Sequence, residues 1–330
     1  MDIFRALPEI PSSFGPTVVS IGNFDGVHCA HQWLLAEISR RAHELSAKSV
    51  AVTFDPHPSR LLRPIGAPKL ITPMTERLEL LRASGIDATL VLPFNDELCK
   101  MSGPDFVAAV LRDALHAAEV HEGDNFRFGY RAQSQAADLI ALGHDQGFRV
   151  QIFSPRYIRG IQVSSSRVRE AIQSGNMTLA RALLGRPFSI HSTPASGRAI
   201  GRRLTVPTIN LAPYDELLPA DGVYVTRMKI GEEEFDAVTN AGTRPTFGED
   251  SYAVESYLLN FHPVNLLPET PLELTFIHRL REERKFPSPE ALKHQIMQDV
   301  AKAQRYLHLA DLLQNSTPPS RTGFRARISS

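Results

Sequence analysis

Apolar and polar positions along this chain follow two rhythms. Up to about Gly185, short apolar runs alternate with longer stretches of helical spacing. Val18, Val19, Ile21 and Phe24 surround a Gly-Asn-Phe-Asp-Gly turn, and helical spacing then runs from about Cys29 to Leu45. The run SVAVTFD from Ser49 predicts a buried parallel strand, and DPHPSRLLRP after it a Pro-rich loop. Met74, Leu78 and Leu81 predict a helix, with Thr72 as its N-cap, Pro73 next and Gly85 as its stop. IDATLVLPF predicts a strand, residues 102–118 a helix, and AEVHEG a short strand leading into the turn GDNFRFGYRAQ. QAADLIALGHDQG reads as helix, FRVQIFSP as strand, and SSSRVREAIQSG and NMTLARALLG as two further helices. Strands alternating with helices predict a parallel sheet covered by helices.

Beyond Gly185 the rhythm shortens. HSTPASGRAIGRRLTVPTINL is loop-rich, and GVYVTRMKIG, EFDAVTNAG, YAVESYLLNF and PLELTFIHRL predict short alternating strands of a small antiparallel barrel. SPEALKHQIMQDVAKAQRYLHLADLLQ predicts a closing amphipathic helix. STPPSRTGFRARISS is polar and basic, with the composition of a disordered tail, and Arg321, Arg325 and Arg327 are its candidate anion contacts. The expected organisation is therefore α/β: residues 1–185 a first domain, 186–312 a second, and 313–330 a tail.

Composition narrows the function. A chain of 330 residues has material for two cores, and 42% hydrophobic with 22% charged residues is ordinary for a globular protein. Net charge is zero, so no global field favours nucleic acid or an anionic membrane, and neither is an expected partner. Two cysteines, Cys29 and Cys99, make neither a disulfide framework nor a metal set, which fits a reducing cytoplasm. No signal-peptide pattern opens the sequence, and no apolar run reaches the length of a membrane span. The expected location is cytoplasmic.

The chemistry concentrates at two strand-to-helix junctions. At the first, a glycine-bounded turn enters a helix whose start carries His28 and His31 on one face. Free N–H groups and the positive end of the helix dipole make such a junction an anion site, and two imidazoles add donors for a phosphate gaining charge. A zinc reading of the His-x-x-His pair lacks the further ligands zinc requires. At the second junction, Ser164, Ser165 and Ser166 precede Arg167 and Arg169. Serines there serve as helix caps or, with guanidinium forks, hold a triphosphate.

The first junction, GNFDGVHCAHQ, resembles the first signature of the HxGH nucleotidyltransferases. In its long form it resembles the prokaryotic bifunctional riboflavin kinase/FAD synthetase family, with Ala30 where that family has glycine. VSSSRVR resembles the superfamily's second signature, with Ser166 in place of threonine. TFDPHP and GDNFRFG resemble the same family, with Asn125 where an aspartate is usual. The resemblance implies a Rossmann-like nucleotidyltransferase domain in which Gly22, Phe24, Ser164, Ser165 and Arg167 bind nucleotide. Pro56, His57, Pro58, Asn125 and Arg127 would then line the flavin site, and His28 and His31 would act on the α-phosphate of ATP. FMN phosphate is already anionic near neutral pH, so adenylyl transfer to it needs positioning and charge stabilisation rather than a general base.

The second half resembles the riboflavin kinase module through GRPF, PTIN, DGVYV, NAGTRPTF, VESYLLNF and LREERKF. That resemblance implies Thr208 and Asn210 as holders of Mg²⁺ and ATP phosphates, and Glu255 as the catalytic carboxylate. A base is useful there, because riboflavin offers a neutral hydroxyl. The loop between Gly185 and Asn210 departs from the family: Ser192, Pro194, Ala195 and Ser196 replace a Gly-Val-Val-His-Gly-like run, and Thr205 and Val206 replace Gly-Phe. Leu266, Leu267 and Pro268 replace Leu-Tyr-Gly. The expected activity is conversion of riboflavin to FMN and of FMN to FAD with Mg-ATP. One alternative is an FMN adenylyltransferase with an impaired kinase-like domain. Another is a non-catalytic flavin- or nucleotide-binding regulator. A nucleotidyltransferase for a different phosphate substrate is disfavoured by the kinase-like half.

Overall fold

The computed structural model describes residues 1–195, 202–204, 208–246 and 249–316. Ser196, Thr205, Val206 and the tail arginines Arg321, Arg325 and Arg327 lie outside the described residues. The chain divides into two compact units. One comprises Met1–Ser174, Thr178–Arg186 and Asp215–Leu218, and the other Gly175–Met177, Pro187–Tyr214 and Pro219–Ser330.

The first unit is built on six parallel strands: β1 (Asp2–Phe4), β2 (Thr17–Ile21), β3 (Lys48–Asp55), β4 (Ala88–Pro93), β5 (Ala117–Gly123) and β6 (Arg149–Phe153). Their order is β1-β4-β3-β2-β5-β6. Every residue of β2 is buried, as expected of a central parallel strand covered on both faces. Alternation along it divides two cores. Val18 packs with Phe24, Leu35, Ile38, Leu78 and Leu81. Val19 and Ile21 face Phe106, Val107, Leu111 and Leu139 on the other side. The chain leaves β2 toward β3 and β4 on one side and returns to β5 on the other. The β2/β5 boundary is therefore the topological switch point, where open α/β sheets bind ligands.

Helices α1 (Cys29–Glu44), α2 (Met74–Ala83), α3 (Ala136–Gln146), α4 (Ser165–Gln173) and α5 (Met177–Leu184) follow the predicted periods. Two local expectations are corrected. Thr72 does not cap α2, whose N-cap is Pro73 without a side-chain bond. Instead the Ile71 and Thr72 amides both donate to Asp25, which turns this backbone toward the first junction, and Thr72 Oγ1 accepts the Gly26 N–H at 3.0 Å. The helix expected over 102–118 stops earlier: Gly103–Phe106 continues into a π-helical stretch at Val107–Ala114. The chain reverses at His116, with φ 47°, and Ala117 pairs with Thr17. Tertiary pairing here overrides the helix propensity of alanine. Strand β1 escaped the sequence reading because a three-residue edge strand carries too little periodicity.

In the second unit the main sheet is antiparallel. Its strands are β7 (Phe188–Ser192), β8 (Thr208–Asn210), β9 (Gly222–Ile230), β10 (Glu233–Thr246), β11 (Glu249–Leu258) and β12 (Leu272–Arg281), in the order β7-β12-β9-β10-β11-β8. Beyond β7 the chain bridges at Pro194 to Leu211, just past β8. The Ala195 N–H donates to the Asn210 carbonyl at 2.9 Å, and the Ala212 N–H to the Thr193 carbonyl at 2.8 Å. This link joins the two ends of the strand order and curls the sheet into a barrel. Helix α6 (Pro289–Ser316) packs Ala303 and Leu307 against Val223, Val225 and Val238, and its Asp299 is paired with Arg281 at 2.8 Å.

One glycine shapes the cavity wall. Gly129 has φ +73°, and a Cβ there would lie 2.6 Å from the Gly103 backbone nitrogen. Gly147, the C-cap of α3, has φ +85° but open space around it. Gly147→Ala should cost about 1–2 kcal/mol, the left-handed penalty alone. Gly129→Ala should cost clearly more, because backbone must also move. Urea unfolding of both variants checks this, and equal losses would contradict the close approach.

Candidate active site

The first junction is held in an unusual backbone. Phe24 (φ 47°), Gly26 (φ 84°) and Val27 (φ 37°) all take positive φ, and for β-branched Val27 that conformation is costly. Asp25, 1% exposed, over-determines it. Its carboxylate accepts from the Ile71 N–H at 2.9 Å, the Thr72 N–H at 3.1 Å and Arg169 Nη2 at 2.7 Å. The fully buried Arg77 adds a guanidinium at 3.8 Å. The Asp25 carbonyl accepts from Ser165 Oγ at 2.9 Å. Arg186 closes the loop from behind, donating to the Gly26 carbonyl at 2.8 Å. One residue of the first signature thus grips two residues of the second.

His28 is the N-cap of α1, 4% exposed, and its Nδ1 accepts the His31 N–H at 3.4 Å. The two imidazoles stack, with centroids 3.6 Å apart and planes at 14°. Burial lowers the His28 pKa to about 4. Burial lowers His31 well below its ordinary value too, helped by the neighbouring His28 and Arg77. Both rings are therefore neutral at pH 7. A neutral ring that accepts at Nδ1 carries its proton on Nε2, which makes His28 Nε2 a fixed donor. His31 Nδ1 is buried without a hydrogen-bond partner among the described residues. Cys29, between them, has its thiol pKa pushed up by burial and packs toward Ala182 and Gly185 as a filler.

Ser164 caps α4, its Oγ accepting the Arg167 N–H at 3.3 Å, so its own hydroxyl proton remains to be donated. Ser165 donates its proton to Asp25. The two arginines of this signature diverge. Arg169 is committed to Asp25, whereas Arg167 lies at the surface against Glu170 at 2.6 Å.

These elements wall a cavity of about 910 Å³, lined by Gly22, Phe24, His28, His31, Pro58, Asn125, Arg127, Ser164 and Ser165 among others. Nine sequence-derived candidates thus converge, whereas Pro56, His57 and Arg167 are not in its wall. His57 instead caps the short helix Pro58–Leu62, its Nδ1 accepting the Ser59 N–H, and burial lowers its pKa to about 4. The wall also holds Trp33, Arg156 and Glu122, which the sequence reading passed over. Glu122 sits where β2 and β5 part, and its carboxyl accepts the Ile21 N–H. Burial pushes its pKa well up, against the donors that favour its charged form. Three ionisable residues, Glu119, His121 and Glu122, within one short central strand were the available signal.

In the second unit, Asn210 of β8 is the register partner of Glu255 of β11, which is also opposite Asn240 of β10. Strand alternation puts Thr208 on the same face as Asn210. Asn240 Nδ2 donates to Glu283 at 3.1 Å. Three motifs far apart in sequence therefore make one row of hard-oxygen side chains. Such hard oxygens fit Mg²⁺, which prefers oxygen ligands, few of them from protein and the rest from phosphate and water.

Asp25→Asn should strand Arg77 and Arg169 without a counter-charge and destabilise the first unit by about 3–5 kcal/mol, read by denaturant unfolding. A loss below about 1 kcal/mol would remove Asp25 as the hub. His28 gives a pH signature. Between pH 6.5 and about 4 the unfolded chain binds a proton there that the folded chain does not, so stability falls as pH is lowered through that window. The fall attributable to His28 is on the order of 3 kcal/mol at its acid end. Unfolding free energies of the wild type and His28→Asn, measured across this window, should converge toward low pH.

The family is visible across both halves. The FAD synthetase model matches residues 10–167, and the riboflavin kinase model residues 184–307. The bifunctional riboflavin kinase/FMN adenylyltransferase of Pseudomonas fluorescens is 36% identical over 305 residues, covering 92% of this chain and 97% of its own. The protein of the same name from Escherichia coli K12 is 30% identical over 293 residues, covering 88% and 93%. A crystal structure from Streptococcus pneumoniae, described as a macrolide-efflux protein, shares the fold at TM-score 0.81 and 27% identity, covering 92% of this chain and 98% of that one. Among the described residues, no helix is long and apolar enough to cross a membrane. Matched in both halves and nearly end to end, this chain belongs to the bifunctional riboflavin kinase/FMN adenylyltransferase family.

Proposed function

We propose that this protein makes FMN from riboflavin and FAD from FMN, each step using ATP, with residues 186–312 carrying the first reaction and residues 1–185 the second. It is an enzyme of flavin-cofactor biosynthesis, as its family membership in both halves supports. The observation that carries the adenylyl-transfer assignment is the convergence of both phosphate signatures on one cavity, tied together through Asp25.

In the first unit, an oxygen of the FMN phosphate attacks the α-phosphorus of ATP. The bond to the β-phosphate oxygen breaks, and pyrophosphate leaves with the electron pair. The neutral His28 ring donates from Nε2 to the α-phosphate as its charge grows, and His31 stacks on it and holds it in place. Ser164 donates its hydroxyl to the leaving pyrophosphate, and Arg167 reaches it by exchanging its surface partner Glu170. Ser165 acts through the Asp25 carbonyl and by offering its oxygen and backbone to the site. Gly22 and Phe24 border the nucleotide, and Pro58, Asn125 and Arg127 border the flavin. Pro56 and His57 shape that loop from outside the wall.

In the second unit, Glu255 takes the proton of the riboflavin 5′-hydroxyl while its oxygen attacks the γ-phosphorus of ATP and ADP leaves. Asn210, opposite Glu255 across the strand pair, and Thr208 two residues before it would hold Mg²⁺ and phosphate oxygens. Bound there, the cation neutralises phosphate charge. The working compartment is the cytoplasm, where ATP and reduced thiols such as Cys29 and Cys99 coexist.

Separate sites make separable losses. His28→Ala should depress FAD formation from FMN by about 10²–10³-fold and leave FMN formation from riboflavin within about twofold. Glu255→Ala should do the reverse, by about 10²–10⁴-fold. Chromatographic time courses with Mg-ATP and each flavin decide it. Equal loss of both activities in either variant would contradict two separate sites.

A further inference from the structure

The cavity has two aromatic stations. One is a phenylalanine cluster in which Phe106 and Phe126 each pack on Phe128, next to Asn125 and Arg127. The other is Trp33, set edge-to-face on Phe153 at 4.9 Å and covered by the Arg156 guanidinium 4.6 Å from its ring centre. No ring contact joins the two stations among the described residues. A flavin and an adenine are both planar and heteroaromatic, but the flavin needs the longer apolar wall, and the residues expected to border it lie with the phenylalanines.

Arg156 is well placed for the other ring. It opens a hairpin in which Tyr157–Ile158 pairs with Ile161–Gln162, and its carbonyl accepts the Val163 N–H at 2.9 Å. Val163 immediately precedes the Ser164 cap, so the hairpin fixes Arg156 next to the phosphate signature. Trp33 stands five residues beyond the His28 cap, about 7–8 Å along the axis of α1. That separation suits a base whose α-phosphate lies at the imidazoles. Ala30, between them, also lines the cavity and presents only a methyl group. Among the described residues Arg156 makes no ion pair, so its charge and its second face remain for a ligand.

We infer that Trp33 and Arg156 form the platform for the nucleobase of ATP, with the base stacked on the open face of the Arg156 guanidinium and the other face resting on Trp33. This rests on the adenylyl-transfer reading of the cavity. Trp33 fixes the plane of the guanidinium, and the guanidinium supplies cation–π attraction to an electron-rich purine. Lysine has the charge but no plane, so Arg156→Lys separates stacking from charge.

Trp33 is the only tryptophan in the chain, so its fluorescence reports this cavity and not the second unit. The full-length protein would be titrated with ATP, CTP and inorganic tripolyphosphate, and FAD formation followed over a range of ATP concentrations. ATP should quench Trp33 and bind more tightly than CTP. Arg156→Lys should weaken ATP binding and raise the ATP KM of FAD formation by about tenfold, with kcat and tripolyphosphate affinity kept within about twofold. Trp33→Leu should produce a similar rise in KM, and the double variant little more than either alone. Wild-type ATP affinity in Arg156→Lys would overturn the platform. Equal loss of ATP and tripolyphosphate binding in Arg156→Ala would make Arg156 a phosphate contact instead. If the wild type forms no FAD from FMN, the adenylyl-transfer reading itself fails. FAD formation with an unchanged KM in Arg156→Lys sinks only the platform.

Discussion

Everything in the first unit turns on a buried carboxylate. Asp25 has almost no contact with water, and three hydrogen-bond donors and the Arg77 guanidinium, 3.8 Å away, converge on it from three separate segments. A charge so placed is tolerated only when compensated, and the compensation here comes from the loop before α2, from α2 itself and from α4. The loop bearing His28, the stretch before α2 and the helix of the serine signature therefore cannot shift independently. The left-handed backbone at Phe24, Gly26 and Val27 is the cost of bringing Asp25 inward. Its benefit is a cavity in which His28 and Ser164 are held in place by the fold itself.

Fixed, uncharged donors suit the chemistry. The stacked imidazoles are stripped of water and neutral, and the Asp25 charge, which repels a phosphate, is matched by Arg169 and Arg77. Glu122, a buried acid of the wall, has its pKa pushed well up by the same desolvation. A phosphate entering the cavity meets oriented N–H and O–H groups in a medium of low polarity, where each is worth more than in water.

The second unit solves a different problem with different parts. Its sheet places an amide, a carboxylate and a second amide in one cross-strand row, Asn210–Glu255–Asn240. The barrel closure through Pro194 and Leu211 anchors the short strand β8 at the edge, and with it Asn210. A neutral hydroxyl nucleophile calls for a base and an anionic phosphate does not, so phosphorylating a flavin and adenylylating a flavin phosphate ask for different constellations.

Much of this was legible along the chain. Two periods of hydrophobicity separated the parallel from the antiparallel half, because burial on both faces and burial on one face leave different patterns. A glycine-bounded turn ahead of a helix marked the first junction and a serine cluster followed by arginines the second, and a resemblance over nearly the whole length suggested their roles. Local rules failed where a distant partner outweighed them: Thr72 gave up its cap for Gly26, and Ala117 left a helix to pair with Thr17. What the sequence by itself determined is where most strands and helices lie and which junctions are candidates for phosphate chemistry, since both depend on spacing within a few residues. Tertiary structure alone decided that Arg169 is spent on Asp25 while Arg167 is not, and that Trp33 and Arg156 share the cavity wall. It also decided that Glu255 faces Asn210. Those facts depend on register and burial between segments tens of residues apart, and no local spacing encodes them.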